Sequence, residues 1–322
     1  MLFVCLVSAP GAGAGAAEDV VRVAFQPFQS YGGLFIADRE GYFAAQRIKV
    51  GWVTLSGGQS VPLLLQGDIY VGAGGLSPAL LNAVARGQKV RVVADKGHVG
   101  PRGTSGAIVV RRDLAGVVRS VADLKGRKFV IPGPGGLGHY VLARALAAQG
   151  LSLDDVTAVT MPAPVAIAAM LGGSVDAVFL GPPQDAQAVD AGAGFRLIDI
   201  ADIMPGEPVA FLFYGPTLLE QQRDLGTRFM VAYLRGLKRY NDGPTPRNVA
   251  IIAEYTKIDP DVVRKSGWSA IHADGFVDIA KLRRFQDWLY EIGLLDVRNP
   301  MNQVVDTSFL DHAKTVLGPA GR

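Results

Sequence analysis

The residues best suited to catalytic chemistry are few in this sequence and lie far apart. The four histidines are His98, His139, His272 and His312, and none stands three or four residues from another His or from the single Cys. A local zinc or iron site would place its ligands at such spacings. The sequence also contains no nucleophile elbow and no P-loop. It therefore predicts no catalytic residue, no metal and no cofactor, and we expect the protein not to be an enzyme.

Glycine-rich loops follow the predicted strands, and each of them opens a helix. They span residues 26–31, 56–59, 74–77, 133–140 and 181–184. Helix N-termini direct free N–H groups and partial positive charge into the crevice where open α/β sheets bind ligands. Glycines in the fourth loop are spaced as in a dinucleotide site, but Pro134 removes a backbone donor there. The loops together predict a cleft for a small ligand.

Neutral hydrogen-bonding side chains and aromatic rings in and near these loops indicate a small organic ligand. If the ligand is an anion, Arg102 and His139 are the candidate cationic partners, and N–H groups at 75–77 and 135–137 would hold it. Arg102 also fits a solvated loop residue, and His139 could face either the cleft or the core. The predicted ligand-binding residues are Gln26, Phe28, Tyr31, Gly58, Gln59, Gly75, Leu76, Ser77, Thr104, Ser105, Gly135, Gly136, Leu137, His139, Pro183, Gln184 and Tyr214.

Strands alternate with helices from Val20 to about Tyr214, which predicts parallel sheets with helices on both faces. One of these strands is predicted at Val90–Ala94. From about Thr217 the pattern becomes helical, and we expect these helices to pack on the outside of the first lobe. Residues 64–75 align without gaps onto 170–181, so the same helix, strand and helix unit occurs twice. Similar Ala/Gly-rich composition is the alternative explanation of this likeness.

The repeat favours two lobes over one. We expect lobe 1 to comprise residues 18–105 and 211–322, and lobe 2 to comprise residues 106–210. The chain would then cross between the lobes twice, near Thr104–Gly106 and near Glu207–Phe211.

Composition excludes several classes of protein. The chain has 322 residues, of which 49% are hydrophobic and 19% charged, and its net charge is +3. These values exclude a disordered chain and a coiled coil. No block of about five or six like charges occurs, so nucleic acid is not an expected partner.

The first 17 residues form an uncharged, apolar segment that ends in small residues. This pattern predicts a secretory signal cleaved near Ala16 or Ala17, with a buried N-terminal strand as the alternative. Cleavage would remove Cys5, the only Cys of the chain. An exported protein without disulfides must rely on a large core, which this length allows.

Five short motifs, at 35–43, 65–68, 85–87, 121–128 and 172–177, carry a resemblance to a known family. They resemble motifs of exported substrate-binding proteins of ABC importers. The resemblance is to the nitrate, sulfonate, taurine and thiamine-pyrimidine-precursor group, the NMT1/SsuA-like superfamily. It covers essentially the whole mature chain, including closing helices between 274 and 309. The sequence departs from the family pattern at Tyr70, in the hydroxyl-free loop 133–138 and at Pro182–Pro183, which weakens transfer of a nitrate or alkanesulfonate specificity.

The resemblance implies an α/β protein with a two-lobed periplasmic-binding-protein type II fold. Each lobe would be a mostly parallel sheet flanked by helices, with two hinge crossings. It further implies a periplasmic monomer that captures a sulfonate, carboxylate or polar or aromatic heterocycle between its lobes and delivers it to an ABC permease in the inner membrane.

Two other functions are compatible with the same fold. One is a ligand-sensing binding protein that docks to a membrane receptor kinase. The other is an enzyme like the pyrimidine-precursor synthases, which would need a Cys-rich iron motif that the mature chain lacks.

Overall fold

Two five-stranded sheets, each flanked by helices, form the body of the protein. The structure is a computed structural model that describes residues 18–55 and 59–318. The predicted signal segment, residues 1–17, lies outside the described residues. The strands are β1 Asp19–Phe25, β2 Ile48–Thr54, β3 Val71–Gly74, β4 Arg91–His98, β5 Ala107–Arg111, β6 Lys128–Ile131, β7 Thr157–Thr160, β8 Ala177–Leu180, β9 Gly194–Asp199 and β10 Pro208–Tyr214.

Helices connect and cover these strands. Most begin as the sequence leads one to expect, with Ser, Thr, Asp or Pro at the first positions. For example, the Ser77 hydroxyl accepts a hydrogen bond from Leu80 N, and Thr245 accepts one from Asn248 N. The helices are α1 Gly32–Arg39, α2 Ser60–Gln66, α3 Pro78–Ala85, α4 Leu137–Ala147, α5 Ala163–Leu171, α6 Gln184–Asp190, α7 Ile200–Ile203, α8 Arg223–Tyr240, α9 Pro246–Thr256, α10 Pro260–Lys265, α11 Ile279–Glu291, α12 Met301–Val304 and α13 Ser308–Leu317.

Each sheet is mostly parallel, as expected. The first has the order β2-β1-β3-β10-β4, and only β10 runs against its neighbours. The second has the order β7-β6-β8-β5-β9, and only β5 runs against its neighbours. The strands are rich in Val, Ile and Phe because helices bury both faces of the sheets. The type II fold with two mostly parallel sheets is therefore confirmed.

The internal repeat is confirmed by matching elements in the two sheets. Each copy occupies the central position of its sheet: β3 in the first and β8 in the second. A glycine with positive φ ends the helix before each of these strands, Gly67 at 76° and Gly173 at 73°. The helix after each strand, α3 or α6, begins at the equivalent residue. This symmetry places two equivalent strand-to-helix loops opposite each other.

Two chain segments connect the sheets, 99–106 and 204–207. They are hydrogen-bonded to each other, because Val99 N donates to Glu207 O at 2.8 Å and Gly206 N donates to Val99 O at 3.0 Å. The ladder continues into the first sheet, where Pro208 pairs with His98. The two crossings therefore form one paired connection.

The C-terminal helices pack mainly on the first sheet, as predicted. Phe229, Leu237 and Phe309 belong to the same buried core as Val23 and Phe35. Helix α11 also contacts the second core through Phe285 and Trp288. None of the helices in the described ranges has the length and hydropathy needed to cross a membrane.

Candidate ligand-binding site

A cleft with a volume of about 620 Å³ is lined by loops from both sheets. Loops after β1, β3, β6 and β8 contribute to it, together with the end of β4, the first connecting segment and the start of β10. The strands of each sheet that run in one direction bring their carboxyl ends to the same edge, which is where open α/β sheets bind ligands. The volume is typical of a site for a small organic molecule.

Most of the residues predicted to bind ligand are brought together in this cleft. Its polar groups include Gln26 and Gln184, whose side chains make no hydrogen bond within the described parts of the chain and so can serve a ligand. Ligand contact itself stays a prediction. The predicted residues that line the cleft are Gln26, Phe28, Tyr31, Gly75, Leu76, Ser77, Thr104, Ser105, Gly136, Leu137 and Gln184.

Other predicted residues are placed elsewhere. Tyr214 is fully buried at the far end of β10, where its hydroxyl donates to Gly226 O at 2.9 Å. Gln59 is exposed before α2, and Pro183 stands behind its cleft-lining neighbours Pro182 and Gln184. Gly58 lies outside the described residues. Gln59 and Pro183 were predicted from loop membership and Tyr214 as an aromatic wall, and neither criterion specifies the direction of a side chain.

Gly135 and His139 belong to a contact between the lobes, not to the cleft lining. A Cβ on Gly135 would lie 2.5 Å from Pro78 Cγ, so α3 packs directly on this glycine. The His139 Nδ1 accepts a hydrogen bond from Gly135 N at 3.1 Å, and its ring packs edge-on against Trp288. Burial lowers the pKa of His139. It is therefore a neutral acceptor and not the expected cation.

Arg102 also lies away from the cleft. Its side chain is 76% exposed and pairs with Asp202 at 2.7 Å. It faces a shallow surface depression shared with Arg196 and Asp199. This placement matches the alternative given above, in which Arg102 is a solvated loop residue.

Lys96 is a cleft-lining residue that the sequence analysis missed. The strand predicted to end at Ala94 continues to His98, and its register against β10 shifts at this point. Phe211 pairs with Asp95 and Ala210 with Gly97, so Lys96 is an extra residue in β4. A bulge of this kind re-aims the side chain that it carries. The available signal was a lysine inside an apolar strand.

The surroundings of Lys96 are almost entirely uncharged. The residue is 2% exposed, its Nζ donates to Ser30 Oγ at 2.9 Å, and the Tyr31 ring centre lies 3.7 Å away. Among the described residues Lys96 forms no ion pair. Burial lowers the pKa of Lys96 to about 7, and the nearby charge of Asp95 opposes this only in part. The cleft thus contains a basic group without an ion-pair partner, and an anion placed beside it would favour its charged form.

Further residues that line the cleft were not in the predicted set, among them Gln29, Ser30 and Phe179. Gln29 Nε2 donates to Val263 O at 3.3 Å, which sets the orientation of the amide. The Gln29 Oε1 is then buried without a hydrogen-bond partner. It is an acceptor that only a donor from outside the described chain can satisfy.

Beside the cleft, Asp95, His98 and His272 form a cluster that was not expected from their separation in sequence. The Asp95 Oδ2 lies 2.8 Å from His272 Nδ1 and 3.2 Å from His98 Nδ1, and the two rings stack 3.9 Å apart. Burial tends to raise the pKa of Asp95, but hydrogen bonds from both histidines and from backbone N–H groups lower it overall. The hydrogen bond to Asp95 raises the pKa of His272.

The geometry of this cluster favours hydrogen bonding over metal binding. Its three donor atoms lie within 4.8 Å of one another, close enough to share an ion. However, the stacked rings, inclined by 27°, direct both Nδ1 atoms to one carboxylate oxygen. A tetrahedral ion needs its ligands spread around it and the Nδ1 protons removed. We therefore assign the cluster as a carboxylate held by two imidazole N–H groups.

Comparison with known protein families shows to which family the chain belongs. The NMT1/THI5-like family profile matches residues 29–245, which is more than half of the chain. This chain belongs to the NMT1/THI5-like family. The matched range includes most of the cleft, with Gln26, Phe28 and Ser269 outside it.

Several solved structures similar to this NMT1/THI5-like protein are binding proteins, among them a ligand-binding component of an ABC-type import system. One from Staphylococcus aureus, solved with zinc bound, has a TM-score of 0.78 and 16% identity, covering 92% of this chain and 99% of that one. The alkanesulfonate-binding protein SsuA from Xanthomonas axonopodis pv. citri, bound to MOPS, has a TM-score of 0.70 and 22% identity, covering 91% and 99%. The desulfurization enzyme DSZB has a TM-score of 0.70 and 18% identity, covering 94% and 100%. At such identities the likeness shows the fold alone.

Curated relatives from Brucella, including one from Brucella abortus strain 2308, are named only as binding proteins. The Brucella abortus protein is 25% identical over 142 residues. The match spans 44% of this chain and 44% of that protein.

Proposed function

We propose that this chain is the solute-binding component of an ABC importer. It is exported to the periplasm, captures a small organic ligand in the cleft and delivers it to a permease in the inner membrane. The cleft itself is the observation that carries this proposal: a site of about 620 Å³ between two sheets, lined by neutral polar and apolar groups. Such a lining suits reversible binding of one small molecule.

Closure of the cleft would follow from the proposed division into lobes, 18–105 with 211–322 and 106–210. The paired segments 99–106 and 204–207 are short and join the two sheets, so they are the places where a rotation can be absorbed. Cleft residues such as Ser77 and Gln184 come from opposite lobes. Rotation of one lobe toward the other would therefore enclose a ligand.

Most of the cleft hydroxyls make contacts within the protein that are compatible with a binding site. Thr104 and Ser105 contact each other, and Ser77 caps α3. Ser30 alone among the described cleft hydroxyls contacts a basic side chain, that of Lys96. Because DSZB shows that an enzyme can share this fold, the binding proposal includes the expectation that a bound ligand is recovered unchanged.

A cleft-filling substitution tests the location of the site. Ala163, at the start of α5, lines the cleft, and Ala168 is exposed on the same helix. Calorimetric titration with sulfonates, aromatic carboxylates, pyrimidines and flavins should identify a ligand for the unmodified protein. We expect Ala163→Trp to abolish its binding and Ala168→Trp to leave it intact. Equal loss or equal retention in both variants would place the site elsewhere.

The transport role needs a cellular measurement. A strain of the source bacterium that lacks this chain should lose high-affinity uptake of the ligand found by titration, and Ala168→Trp should restore it while Ala163→Trp should not. Tight binding with unchanged uptake would exclude the importer role and favour the sensing alternative. Conversion of the ligand on incubation with the protein would favour an enzyme.

A further inference from the structure

The cleft contains a basic group, the Lys96 amine, that has no ion-pair partner in the described chain. Lys96 is 2% exposed, its Nζ has Ser30 Oγ as its single hydrogen-bond partner in the described chain, and one side of it faces the Tyr31 ring. An ammonium group has three N–H donors. At least one of them has no acceptor in the described chain. Buried cations normally have a carboxylate partner, since burying an unpaired charge is strongly unfavourable.

The neighbouring carboxylate does not fill this role. Asp95 directs its Oδ2 to His98 and His272, and its Oδ1 accepts from Gly97 N at 2.9 Å. It has no hydrogen bond or ion pair with Lys96. No Asp or Glu is among the described residues that line the cleft, and Lys96 is the one lysine or arginine among them. The cleft is therefore electrostatically suited to an anion.

We propose that Lys96 and Ser30 bind an anionic group of the ligand, and that Gln29 Oε1 accepts a hydrogen bond from a donor on the same molecule. This inference rests on the proposed binding function and names the ligand class for it. The class is a monoanion, a carboxylate or a sulfonate, with an N–H or O–H group and an apolar or aromatic body.

One short turn supplies Gln29 and Ser30 together with the aromatic ring that packs on Lys96. Gln29, Ser30 and Tyr31 form a single turn of 3-10 helix after β1. Gln29 contributes the unpaired acceptor, Ser30 contacts the ammonium group and the Tyr31 ring lies beside it. The Tyr31 hydroxyl donates to Ala73 O at 2.8 Å, which holds the ring in position.

The proposed single negative charge of the ligand follows from the number of cationic side chains that line the cleft. A single lysine, a neutral glutamine and the Ser30 hydroxyl can neutralise about one negative charge. The walls contributed by Phe28, Leu76, Leu137 and Phe179 are apolar. They would contact a hydrocarbon or aromatic body and would disfavour a second charge, because burying it without a partner is costly.

Matched pairs of compounds test this inference. The probes are aryl and short alkyl carboxylates with their primary amides, and sulfonates with their sulfonamides, each with and without an added hydroxyl or amino group. Titration should show that the best anion binds at least about 10-fold more tightly than its neutral partner, as expected for a charge-assisted hydrogen bond. The added donor should improve affinity for the unmodified protein and lose its effect in Gln29→Met.

Variants at Lys96 separate recognition from structure. We expect Lys96→Met to weaken binding of the anion by about 10- to 100-fold and to bring anion and amide to similar affinity. Lys49→Met removes an exposed lysine of β2 and controls for the general loss of one positive charge. The ligand-free Lys96→Met protein should unfold at the same or a higher temperature than the unmodified protein, because an unpaired buried cation is removed.

The outcomes distinguish the two proposals. Equal binding of anion and amide, or unchanged anion affinity in Lys96→Met, overturns the anion site while leaving the binding function in place. A Lys96→Met protein that unfolds at a lower temperature and loses anion and amide affinity equally shows a structural lysine. No binding by any compound overturns both proposals.

Discussion

At the scale of single residues, Asp95 and Lys96 show how neighbouring charges are used separately. Asp95 is neutralised by two histidine N–H groups, whereas Lys96, one residue later, faces Ser30 and Tyr31. The bulge in β4 makes this possible because it breaks the regular alternation of side chains. The result is a satisfied carboxylate next to an unsatisfied ammonium group.

The Asp95 and His272 pair should contribute to stability over a limited pH range. The folded pKa of His272 is raised, so its contribution is complete below its usual value and is lost as pH rises through the folded value. The folded pKa of Asp95 is lowered, so its contribution is lost as pH falls through that value. The pair therefore stabilises most between about pH 4 and 6.5.

A double-mutant cycle of Asp95→Asn and His272→Gln measures this contribution. Urea unfolding at about pH 5.5 should give a coupling of about 1 kcal/mol, because His272 is 37% exposed and solvent screens the pair. The coupling should be smaller at about pH 8.5, where a smaller fraction of His272 is protonated. A coupling that increases with pH would contradict this assignment.

The directions of individual side chains were harder to predict from the sequence than the positions of loops. The loops around Gln26, Ser77 and Gln184 could be predicted as cleft walls because a βα unit directs its loop to one edge of the sheet. The directions of Tyr214 and His139 could not, because they depend on packing against Phe309 and Trp288, distant in sequence. Lys96 depends on a register shift that no local pattern shows.

At the scale of elements, α11 joins the two lobes. Two of its side chains contact the second connecting segment. Lys281 Nζ donates to Gly206 O at 2.6 Å, and Arg284 forms an ion pair with Glu207 at 3.2 Å. Phe285 and Trp288 pack on Tyr140 of α4 with ring centres 5.0 and 4.9 Å away. A helix in the proposed lobe 1 therefore restrains lobe 2.

Removing this contact should loosen the lobes. Because Trp288 is only half-buried, we expect Trp288→Ala to lower the free energy of unfolding by about 1–3 kcal/mol, less than a core substitution. The radius of gyration from small-angle X-ray scattering should rise as well. Tyr290→Ala, at an exposed position of the same helix, should change stability by about 0.5 kcal/mol or less. Equal effects of both variants would show that α11 is not a restraint.

The order of strands and helices was largely predictable, because hydrophobic periodicity and the repeated motif can be recognised within contiguous stretches of sequence. The repeated units 64–75 and 170–181 indicated β3 and β8 with the following helices. The strand β10 was not predicted, although its run of apolar and aromatic residues is typical of a buried strand. It inserts antiparallel between β3 and β4, and that long-range pairing is invisible to a pattern read along the chain.

At the scale of the whole molecule, the lobes already meet at one end of the cleft. Gly135 has a φ of 71° and faces Pro78, so any Cβ there would clash with α3 and strain the backbone. Leu289 and Leu294 surround the same point. This contact limits how the lobes can move relative to each other.

We expect Gly135→Ala to separate the lobes and to destabilise the protein by about 1–3 kcal/mol. Scattering should show a larger radius of gyration, and titration should show weaker ligand binding. Gly133→Ala is the matched control for stability and radius of gyration, because it lies in the same loop with open space at its Cβ position. A Gly135→Ala protein with an unchanged radius of gyration would show that the contact adapts without lobe movement.

The position of β10 also determines the order in which the chain can assemble. Within the first sheet β4 pairs only with β10, and β10 is made after every strand of the second sheet. The second sheet comes from one continuous stretch and can fold as soon as β9 is available. The first sheet must wait, with β3 and β4 unjoined, until Pro208–Tyr214 arrives. The first sheet, which begins with β1, is therefore completed only after the second sheet has been made.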